Sequence, residues 1–517
     1  MMEKGGKMTD RGKQNISSAV HYIALSLFLL LQAAFMVASF LLFKRYFAHF
    51  YAVLELISLI VVLYIVREDS NPSYKIPWII LSLALPILGG LSYVMFGRVR
   101  FTRAEKRRAA EIQEKYNRAM FRERDRMCEL MRDSEDLAMQ AQYIRNNAGA
   151  PVFTNTEVTY YPLGERMFEA MIPALERAKE FIFIEYFIIH PGIMWNAVED
   201  VLAKKARDGV DVRLIYDEVG SFGRVPADFV RVLEAKGIRT LMFNPVKSIL
   251  SSRFNNRDHR KICVVDGDVG FTGGCNLADE YINAHTRFGH WKDANVMLRG
   301  EAVWSLTAMF LTLWDFEKRE NDRFTLYLPS VEVRASGYVQ PFNDSPYDTE
   351  LVGETAYINM LTRAKNYVYI TTPYLIIDSE MMTALTVAAK SGVDVRIITP
   401  GVPDKKLAFA LTRSYYDALL RGGVRIYEYT PGFMHAKVFV SDDRCAIVGT
   451  INLDYRSLCH HYECAVWMCD TPAIPEIKAD ITNAMALSRE VTLEHTRKRP
   501  IPLRLALPLL RLFAPLF

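Results

Sequence analysis

The sequence predicts an α/β protein with two tandem α/β/α domains that pack about a pseudo-twofold axis and follow transmembrane α-helices. Three observations carry this prediction. Strand-like runs alternate with helical stretches from about residue 160, the same order of segments occurs twice, and long apolar stretches crowd into the N-terminal part of the chain. Alternation of strands and helices indicates parallel strands that are joined by crossover helices.

The apolar stretches predict a membrane anchor over residues 1–97 with two or three transmembrane helices. Residues 19–43 and 76–97 contain no Asp, Glu, Lys or Arg, and each is long enough to cross about 30 Å of hydrocarbon. Residues 50–66 form a shorter stretch that carries Glu55, and this is either a third span or a re-entrant or interfacial segment. A cleaved secretory signal is disfavoured for the first stretch, because a signal core has only about 7–15 residues.

The positive charge of the chain is concentrated directly after these stretches, in a basic helical linker over residues 98–150. The whole chain carries a formal charge of +4, whereas residues 98–127 alone carry +6. Basic residues beside a span mark the cytoplasmic side and attract anionic headgroups. We therefore expect a multi-pass protein of the cell membrane in which the domains that follow this segment lie on the cytoplasmic side. The number of spans stays open, since three spans would put one basic end on the opposite side.

Two copies of one module follow, with the first domain at residues 151–335 and the second at 336–496. Three blocks recur in the same order: AKEFIFIEYFII matches AKNYVYITTPYL, GVDVRLIYD matches GVDVRIITP, and HRKICVVD matches HAKVFVSD. In both copies a Lys lies two residues, an Asp seven residues and an Asn 17 residues after the His. Agreement at fixed offsets within larger matching blocks indicates a duplicated domain. A basic amphipathic tail at 497–517 either lies in the membrane interface or packs against the core of these domains.

The repeated His-x-Lys-x4-Asp pattern predicts one active site that both copies share. Residues i and i+2 of a strand lie on the same face, so each His lies beside its Lys. If the copies pack about a pseudo-twofold axis, the two imidazoles face one cleft, where two Lys and two Asn can hold the oxygens of a phosphate. The Asp of each motif closes its strand at a turn, and we expect it to stabilise that turn or to support the site indirectly. The residues concerned are His259, Lys261, Asp266 and Asn276 in the first copy and His435, Lys437, Asp442 and Asn452 in the second.

Two histidines around a phosphodiester predict a double displacement. One neutral imidazole attacks phosphorus to give a phosphohistidine, and the other, protonated, gives its proton to the leaving alcohol. Glu463 and Asp293 are candidates to orient the rings. We expect neither a cofactor nor a metal, because Lys and Asn supply the electrostatics and no third His or Cys recurs in both copies. The seven scattered cysteines form no CxxC pair, which disfavours a disulfide framework.

These motifs resemble the signature of the phospholipase D superfamily, whose members carry paired His-x-Lys-x4-Asp motifs. The similarity extends to the bacterial cardiolipin synthases, on NPSYKIPWIILSLALPILGGLSYVMFG at 71–97 and NNRDHRKICVVDGDVGFTGGCNLADEY at 255–281. In the second half it rests on YVQPFNDSP, ITTPYLI, VDVRIITPG, YEYTPGFMHAKVFV and VGTINLDYRSL. The apolar segment at 19–43 departs from family members that have two spans.

The resemblance implies two phospholipase D-like domains that transfer a phosphatidyl group from one phosphatidylglycerol to another, giving cardiolipin and glycerol. Anionic phospholipids, namely phosphatidylglycerol and cardiolipin, are then the partners. By position, the resemblance assigns the two His-x-Lys-x4-Asp triplets to the catalytic motifs and Asn276, Asn452 and Glu463 to supporting positions. By analogy with other superfamily members, it makes His259 the nucleophile and His435 the acid and base.

Other functions remain as alternatives. A phospholipase D-type phosphodiesterase that hydrolyses phospholipids shares the covalent intermediate and differs only in using water as the acceptor. A nuclease is disfavoured, because the chain outside the basic segment is net acidic and shows no interleaved aromatic and basic strand surface. A scaffold with a decayed site is disfavoured by two complete motifs. The oligomeric state is open.

Overall fold

The computed structural model describes residues 47–68, 70–85, 88–97, 102–120, 125–245, 255–346, 350–497 and 501–516, with single positions at 30, 34, 37, 38 and 41. Contacts along the chain divide it after residue 98 into an N-terminal unit and a larger catalytic unit.

The N-terminal unit is helical. Its elements are α1 (Phe47–Arg67), α2 (Pro72–Ala84), α3 (Leu88–Ser92) and a π-helical turn (Tyr93–Gly97). Among the described residues, no helix is both long enough and apolar enough to cross a membrane.

The structure describes only one of the two longer predicted spans. The one at 19–43 lies outside the described residues, apart from the five single positions. Residues 76–97 do not form the one continuous helix that was expected, because α2 ends at Ala84. Leu85 leaves the helical conformation, with φ −128° and ψ 78°. It precedes Pro86, and the residue before a proline is disfavoured in the α region.

The first catalytic domain has eight strands among the described residues. Seven of them form one sheet, and the short strand His290–Lys292 pairs with a strand of the second domain. Its strands are β1 (Thr156–Tyr161), β2 (Phe181–Tyr186), β3 (Asp211–Asp217), β4 (Arg239–Phe243), β5 (Lys261–Val265), β6 (Val269–Gly273), β7 (His290–Lys292) and β8 (Asn295–Gly300). Helices α4 to α6 precede this domain in the chain and are described below. The helices of the domain itself are α7 (Gly164–Glu176), α8 (Ile193–Arg207), α9 (Glu218–Ser221), α10 (Phe229–Ala235) and α11 (Val303–Lys318). Short 3-10 turns lie at Asp279–Ile282 and Phe324–Tyr327.

The second catalytic domain has eleven strands among the described residues. Eight of them form one sheet, Leu375–Ile376 pairs with Leu453–Asp454, and Gly432–Met434 pairs with β7. Its strands are β9 (Tyr338–Asp344), β10 (Tyr367–Thr371), β11 (Leu375–Ile376), β12 (Asp394–Pro400), β13 (Arg425–Tyr429), β14 (Gly432–Met434), β15 (Val438–Ser441), β16 (Cys445–Gly449), β17 (Leu453–Asp454), β18 (Glu463–Cys469) and β19 (Ser488–Val491). Its helices are α12 (Val352–Arg363), α13 (Ser379–Lys390), α14 (Lys406–Arg421), α15 (Tyr455–Cys459), α16 (Ala473–Ala486), α17 (Leu493–Arg497) and α18 (Ile501–Leu512), followed by a 3-10 turn at Ala514–Leu516.

The two sheets repeat one strand order. The first runs β1-β8-β6-β5-β2-β3-β4, and the second runs β9-β18-β16-β15-β10-β12-β13 with β19 added at its edge. The expectation of parallel sheets holds only for β2-β3-β4 and β10-β12-β13, because β5, β6 and β8 and their counterparts pair antiparallel. The sheets are therefore mixed. Tight turns after β5 and β15 reverse the chain, which excludes a crossover helix there.

The segment at 98–150, which was expected to be a linker, forms part of the catalytic unit. Its helices are α4 (Arg103–Met120), α5 (Met127–Asp133) and α6 (Glu135–Ala148). Helix α4 packs on α11 of the first domain and buries Ile112, Tyr116 and Met120, which lie four residues apart on one face. Helix α6 packs on α12 of the second domain. These helices thus extend the cores of both domains.

Candidate active site

The two motif histidines lie where the two domains meet. His259 stands just before β5 and His435 just before β15, at the same end of the two sheets as the carboxyl ends of β2 and β10. The backbone N–H of His259 donates to the carbonyl of Tyr462 at 2.9 Å, and that of His435 donates to the carbonyl of Lys292 at 2.7 Å. Each histidine is therefore fixed by a backbone hydrogen bond to the other domain.

Each imidazole also receives its carboxylate from the other domain. Nδ1 of His259 lies 3.0 Å from Oε1 and from Oε2 of Glu463, and Nδ1 of His435 lies 2.6 Å from Oδ2 of Asp293. Both carboxylates are fully buried. An ionised carboxylate can only accept, so Nδ1 carries the proton and Nε2 keeps the lone pair in each neutral ring. The predicted ring-orienting residues thus lie beside the rings, exchanged between the domains.

The two lysines lie buried beside their histidines. Nζ of Lys261 donates to the carbonyl of His259 at 2.6 Å. Nζ of Lys437 contacts the carbonyl of His435 and lies 2.9 Å from Nδ1 of the same residue. Burial lowers the pKa of Lys261 to about 7 and that of Lys437 to about 8. An ammonium group buried here gains much from an anionic ligand, because such a ligand offsets the cost of desolvation.

Both histidines are neutral in the free site. Burial, followed by the charges of the two lysines, lowers the pKa of His259 well below its usual range. Burial and Lys437 likewise lower the pKa of His435 to about 4, against the opposing effect of Asp293. Burial raises the pKa of Asp293, but His435 and Lys437 together bring it down to about 2. Asp293 therefore stays ionised and favours a proton on His435.

The asparagines hold the loops around the cleft. Oδ1 of Asn276 accepts from the backbone N–H of Ile188 at 3.0 Å, and its Nδ2 donates to the hydroxyl of Tyr281 at 2.7 Å. Nδ2 of Asn452 donates to Oγ of Ser457 at 3.0 Å. Oδ1 of Asn452 is buried and has no hydrogen-bond partner within the described part of the chain. Of the two amides, that of Asn452 is the one with an oxygen left for a ligand.

The motif aspartates lie at the other end of their strands from the imidazoles. The carboxylate of Asp266 accepts from the backbone N–H groups of residues 179, 180 and 181 at 2.8, 2.8 and 2.9 Å. Asp442 accepts in the same way from residues 365, 366 and 367 at 2.7, 2.8 and 2.9 Å. The structure therefore separates these two residues from the groups that surround the histidines. Their hydrogen bonds instead hold the backbone at the start of β2 and of β10.

Sequence reasoning missed the rings that line the two histidines. The ring of His461 lies 5.6 Å from that of His259, and the ring of Trp291 lies 5.1 Å from that of His435. The sequence did contain a signal for these two rings, namely their equal spacing from the carboxylates. His461 precedes Glu463 by two residues, and Trp291 precedes Asp293 by two residues.

One group of the described residues has metal-ligating geometry, namely His259, His461 and Glu463, whose ligand atoms lie within 4.8 Å of one another. The ammonium group of Lys261 acts electrostatically on this group of three residues, since its charge lowers the pKa of His259. A buried ammonium group disfavours a second cation nearby.

Comparison with known proteins agrees with this geometry. The family described as "Cardiolipin synthase, PLD-like domain" matches residues 171–314 and 357–485, and "Phospholipase_D-nuclease N-terminal" matches residues 56–98. A protein of Streptococcus mutans described as uncharacterized is 45% identical over 88% of this chain and 99% of its own. The cardiolipin synthase of Geobacillus kaustophilus is 34% identical over 88% of this chain and 91% of its own, and that of Alkalihalophilus pseudofirmus is 32% identical over 87% and 90%.

Among solved structures, the phosphatidylserine synthase of Haemophilus influenzae shares the fold. It aligns with a TM-score of 0.55 at 14% identity, over 73% of this chain and 98% of its own. The matches to both halves and the identity along most of the chain show that this protein belongs to the cardiolipin synthase family of phospholipase D-like proteins.

Proposed function

We propose that this protein is a cardiolipin synthase that transfers a phosphatidyl group between two phosphatidylglycerol molecules through a phosphohistidine. The observation that carries the proposal is the pair of buried His-Lys sets, each of which receives its carboxylate from the other domain. This arrangement supplies two imidazoles with free Nε2 atoms and two ammonium groups for one phosphate.

In the first half-reaction, Nε2 of His259 forms a bond to phosphorus while the bond from phosphorus to the glycerol oxygen breaks. His435 gives its proton to that oxygen, so glycerol leaves as a neutral alcohol. His435 gains this proton when the phosphate anion binds, since the anion and Asp293 both raise the proton affinity of the ring. Asp293 lies 2.6 Å from His435, whereas Glu463 lies 3.0 Å from His259, and the shorter contact supports this division of roles.

In the second half-reaction, a hydroxyl of another phosphatidylglycerol attacks phosphorus. Its proton passes to His435, the bond from phosphorus to His259 breaks, and cardiolipin leaves. Lys261 and Lys437 stabilise the charge that builds up on the phosphate oxygens in both steps. The burial of the site supports transfer over hydrolysis, because it limits the access of water to the intermediate.

The N-terminal unit is proposed to hold the enzyme at the cell membrane, with the catalytic unit on the cytoplasmic side. Large apolar side chains of α1 are exposed, among them Leu56, Ile60 and Leu63, each 58–60% accessible. Exposed apolar surface of this kind supports contact with lipid. The excess of positive charge in residues 98–127 supports the cytoplasmic side. Protease digestion of intact and opened spheroplasts tests this, since the catalytic unit should be cut only after opening.

The lipid products test the proposed reaction. The full chain in phosphatidylglycerol vesicles should form cardiolipin and glycerol in equal amounts without added nucleotide. The His435→Ala variant should lose this activity, whereas replacing the exposed His285 by Ala should not change it. Formation of phosphatidic acid with no cardiolipin would show a phospholipid hydrolase instead.

A further inference from the structure

His461 is a buried residue of the cleft that the mechanism above does not use. Its side chain is only 10% exposed, and its ring lies 5.6 Å from that of His259. Nδ1 lies 3.5 Å from Oε1 of Glu463, which is longer than N–H···O hydrogen bonds in proteins. Nδ1 is the ring nitrogen on the side of this carboxylate, whereas Nε2 is buried and has no hydrogen-bond partner within the described part of the chain. A buried acceptor that stays unpaired is costly, so a ligand that donates to Nε2 is expected.

The position of Nδ1 narrows the kind of ligand. Nδ1 is the ring nitrogen that faces the carboxylate of Glu463, so the N–H lies on Nδ1 and Nε2 carries the lone pair. The oxygens of a phosphodiester can only accept, whereas an alcohol hydroxyl can both donate and accept. A hydroxyl can donate to the lone pair of Nε2, whereas the phosphate oxygens cannot donate and already have two lysines.

The other domain offers a different ring at the corresponding place. Trp291 lies two residues before Asp293, as His461 lies two residues before Glu463. Its indole Nε1 is also buried without a partner among the described residues. An indole can only donate, so it cannot accept the proton of a hydroxyl. The two sides of the cleft thus differ in what they can bind, although the two domains share one strand order.

We propose that His461 binds a hydroxyl of the glycerol headgroup and thereby makes the enzyme select glycerol-bearing alcohols over simple monoalcohols. The proposal rests on the proposed transferase function. When one hydroxyl of a phosphatidylglycerol headgroup attacks phosphorus, the neighbouring hydroxyl remains free and can pair with the imidazole. A monoalcohol such as ethanol has no second hydroxyl, so it gains nothing from this residue.

The partition of the intermediate between two acceptors tests the proposal. Phosphatidylglycerol vesicles with a fixed concentration of ethanol should yield cardiolipin and phosphatidylethanol, and their ratio does not depend on how much enzyme is folded. His461→Phe should lower the ratio of cardiolipin to phosphatidylethanol about tenfold, the value of one or two lost hydrogen bonds. His461→Gln, which can still donate and accept, should keep most of the ratio. His460→Phe, the same change one residue earlier, is the matched control and should keep it as well.

The outcomes separate this proposal from the proposed function. An unchanged ratio in His461→Phe overturns the role of His461, and so does a ratio in His461→Gln that falls as far as in His461→Phe. If the wild-type protein forms neither cardiolipin nor phosphatidylethanol, the transferase function itself is refuted, and this proposal falls with it.

Discussion

The carboxylate of Glu463 lies 3.0 Å from Nδ1 of His259, across 204 residues of sequence. The reciprocal contact joins Asp293 to His435 across 142 residues. Neither domain therefore holds an imidazole together with the carboxylate that orients it. The proposed site is complete only when the two domains are folded against each other, so the interface between the domains is part of that site.

Neutralising either carboxylate should impair catalysis without unfolding the protein. Glu463→Gln and Asp293→Asn keep the size of the side chain but remove the charge that stabilises a protonated ring. We expect each to lower kcat by about 10²–10⁴-fold, the usual contribution of general acid-base catalysis. Rates of cardiolipin formation, with circular dichroism to verify folding, measure the effect. Glu157→Gln, on the exposed part of β1, is the control, and a carboxylate variant with its full rate would refute the orienting role.

The lowered pKa values of the two lysines predict that kcat/KM falls at an unusually low alkaline pH. Phosphatidylglycerol keeps its negative charge over the whole neutral and alkaline range, because a phosphodiester is a strong acid. The ammonium form binds this phosphate, and that form is lost as the pH rises through the pKa values of about 7 for Lys261 and about 8 for Lys437. We expect kcat/KM to fall above pH 7 to 8. The fall in kcat should come at higher pH, since bound phosphate stabilises the ammonium groups. A kcat/KM that stays constant up to pH 10 would contradict this.

The motif aspartates should matter for stability more than for chemistry. Asp266 has a positive φ of 52° and accepts three backbone N–H groups. Asp266→Ala should therefore destabilise the fold by about 2 kcal/mol or more. Asp266→Asn should lose less, because Asn tolerates positive φ and keeps one acceptor oxygen. Denaturant unfolding measures both. If Asp266→Asn folds stably yet loses kcat as fully as His259→Ala, the residue acts in the chemistry after all.

The C-terminal tail packs on the catalytic unit, and this contact favours the second of the two alternatives for its sequence, packing against the core. Helix α18 packs on α14, and the guanidinium of Arg511 lies 4.1 Å from the ring of Tyr415. Leu507 and Ala514 are buried. Removing residues 501–517 should lower the Tm by several degrees and leave vesicle flotation unchanged. Loss of flotation with an unchanged Tm would show that the tail is a membrane contact instead.

Local pattern was enough to predict the strands that carry the site. The runs at 181–189, 212–217 and 261–266 form β2, β3 and β5, and the repeat appears as one shared strand order. The antiparallel part of each sheet was wrongly expected to be parallel. Strand direction depends on which turns reverse the chain, and the alternation of strands and helices does not record it.

The exchange of carboxylates between the domains was not predictable from spacing. Glu463 and Asp293 could be named as ring-orienting candidates, but the ring that each one faces depends on packing between domains. The burial of one face of α4 could have been predicted from the sequence, since Ile112 and Tyr116 lie four residues apart on one helical face. The high charge of this helix led instead to the prediction of a solvated linker.

Trapping the covalent intermediate tests the central claim most directly. The enzyme is mixed with phosphatidylglycerol, quenched at alkaline pH, where phosphohistidine is stable, and digested for mass spectrometry. The account predicts a phosphatidyl group on His259 that is labile to acid and that is absent from His259→Ala. Formation of cardiolipin at the full rate by His259→Ala, with no phosphatidylated histidine at any position, would contradict it.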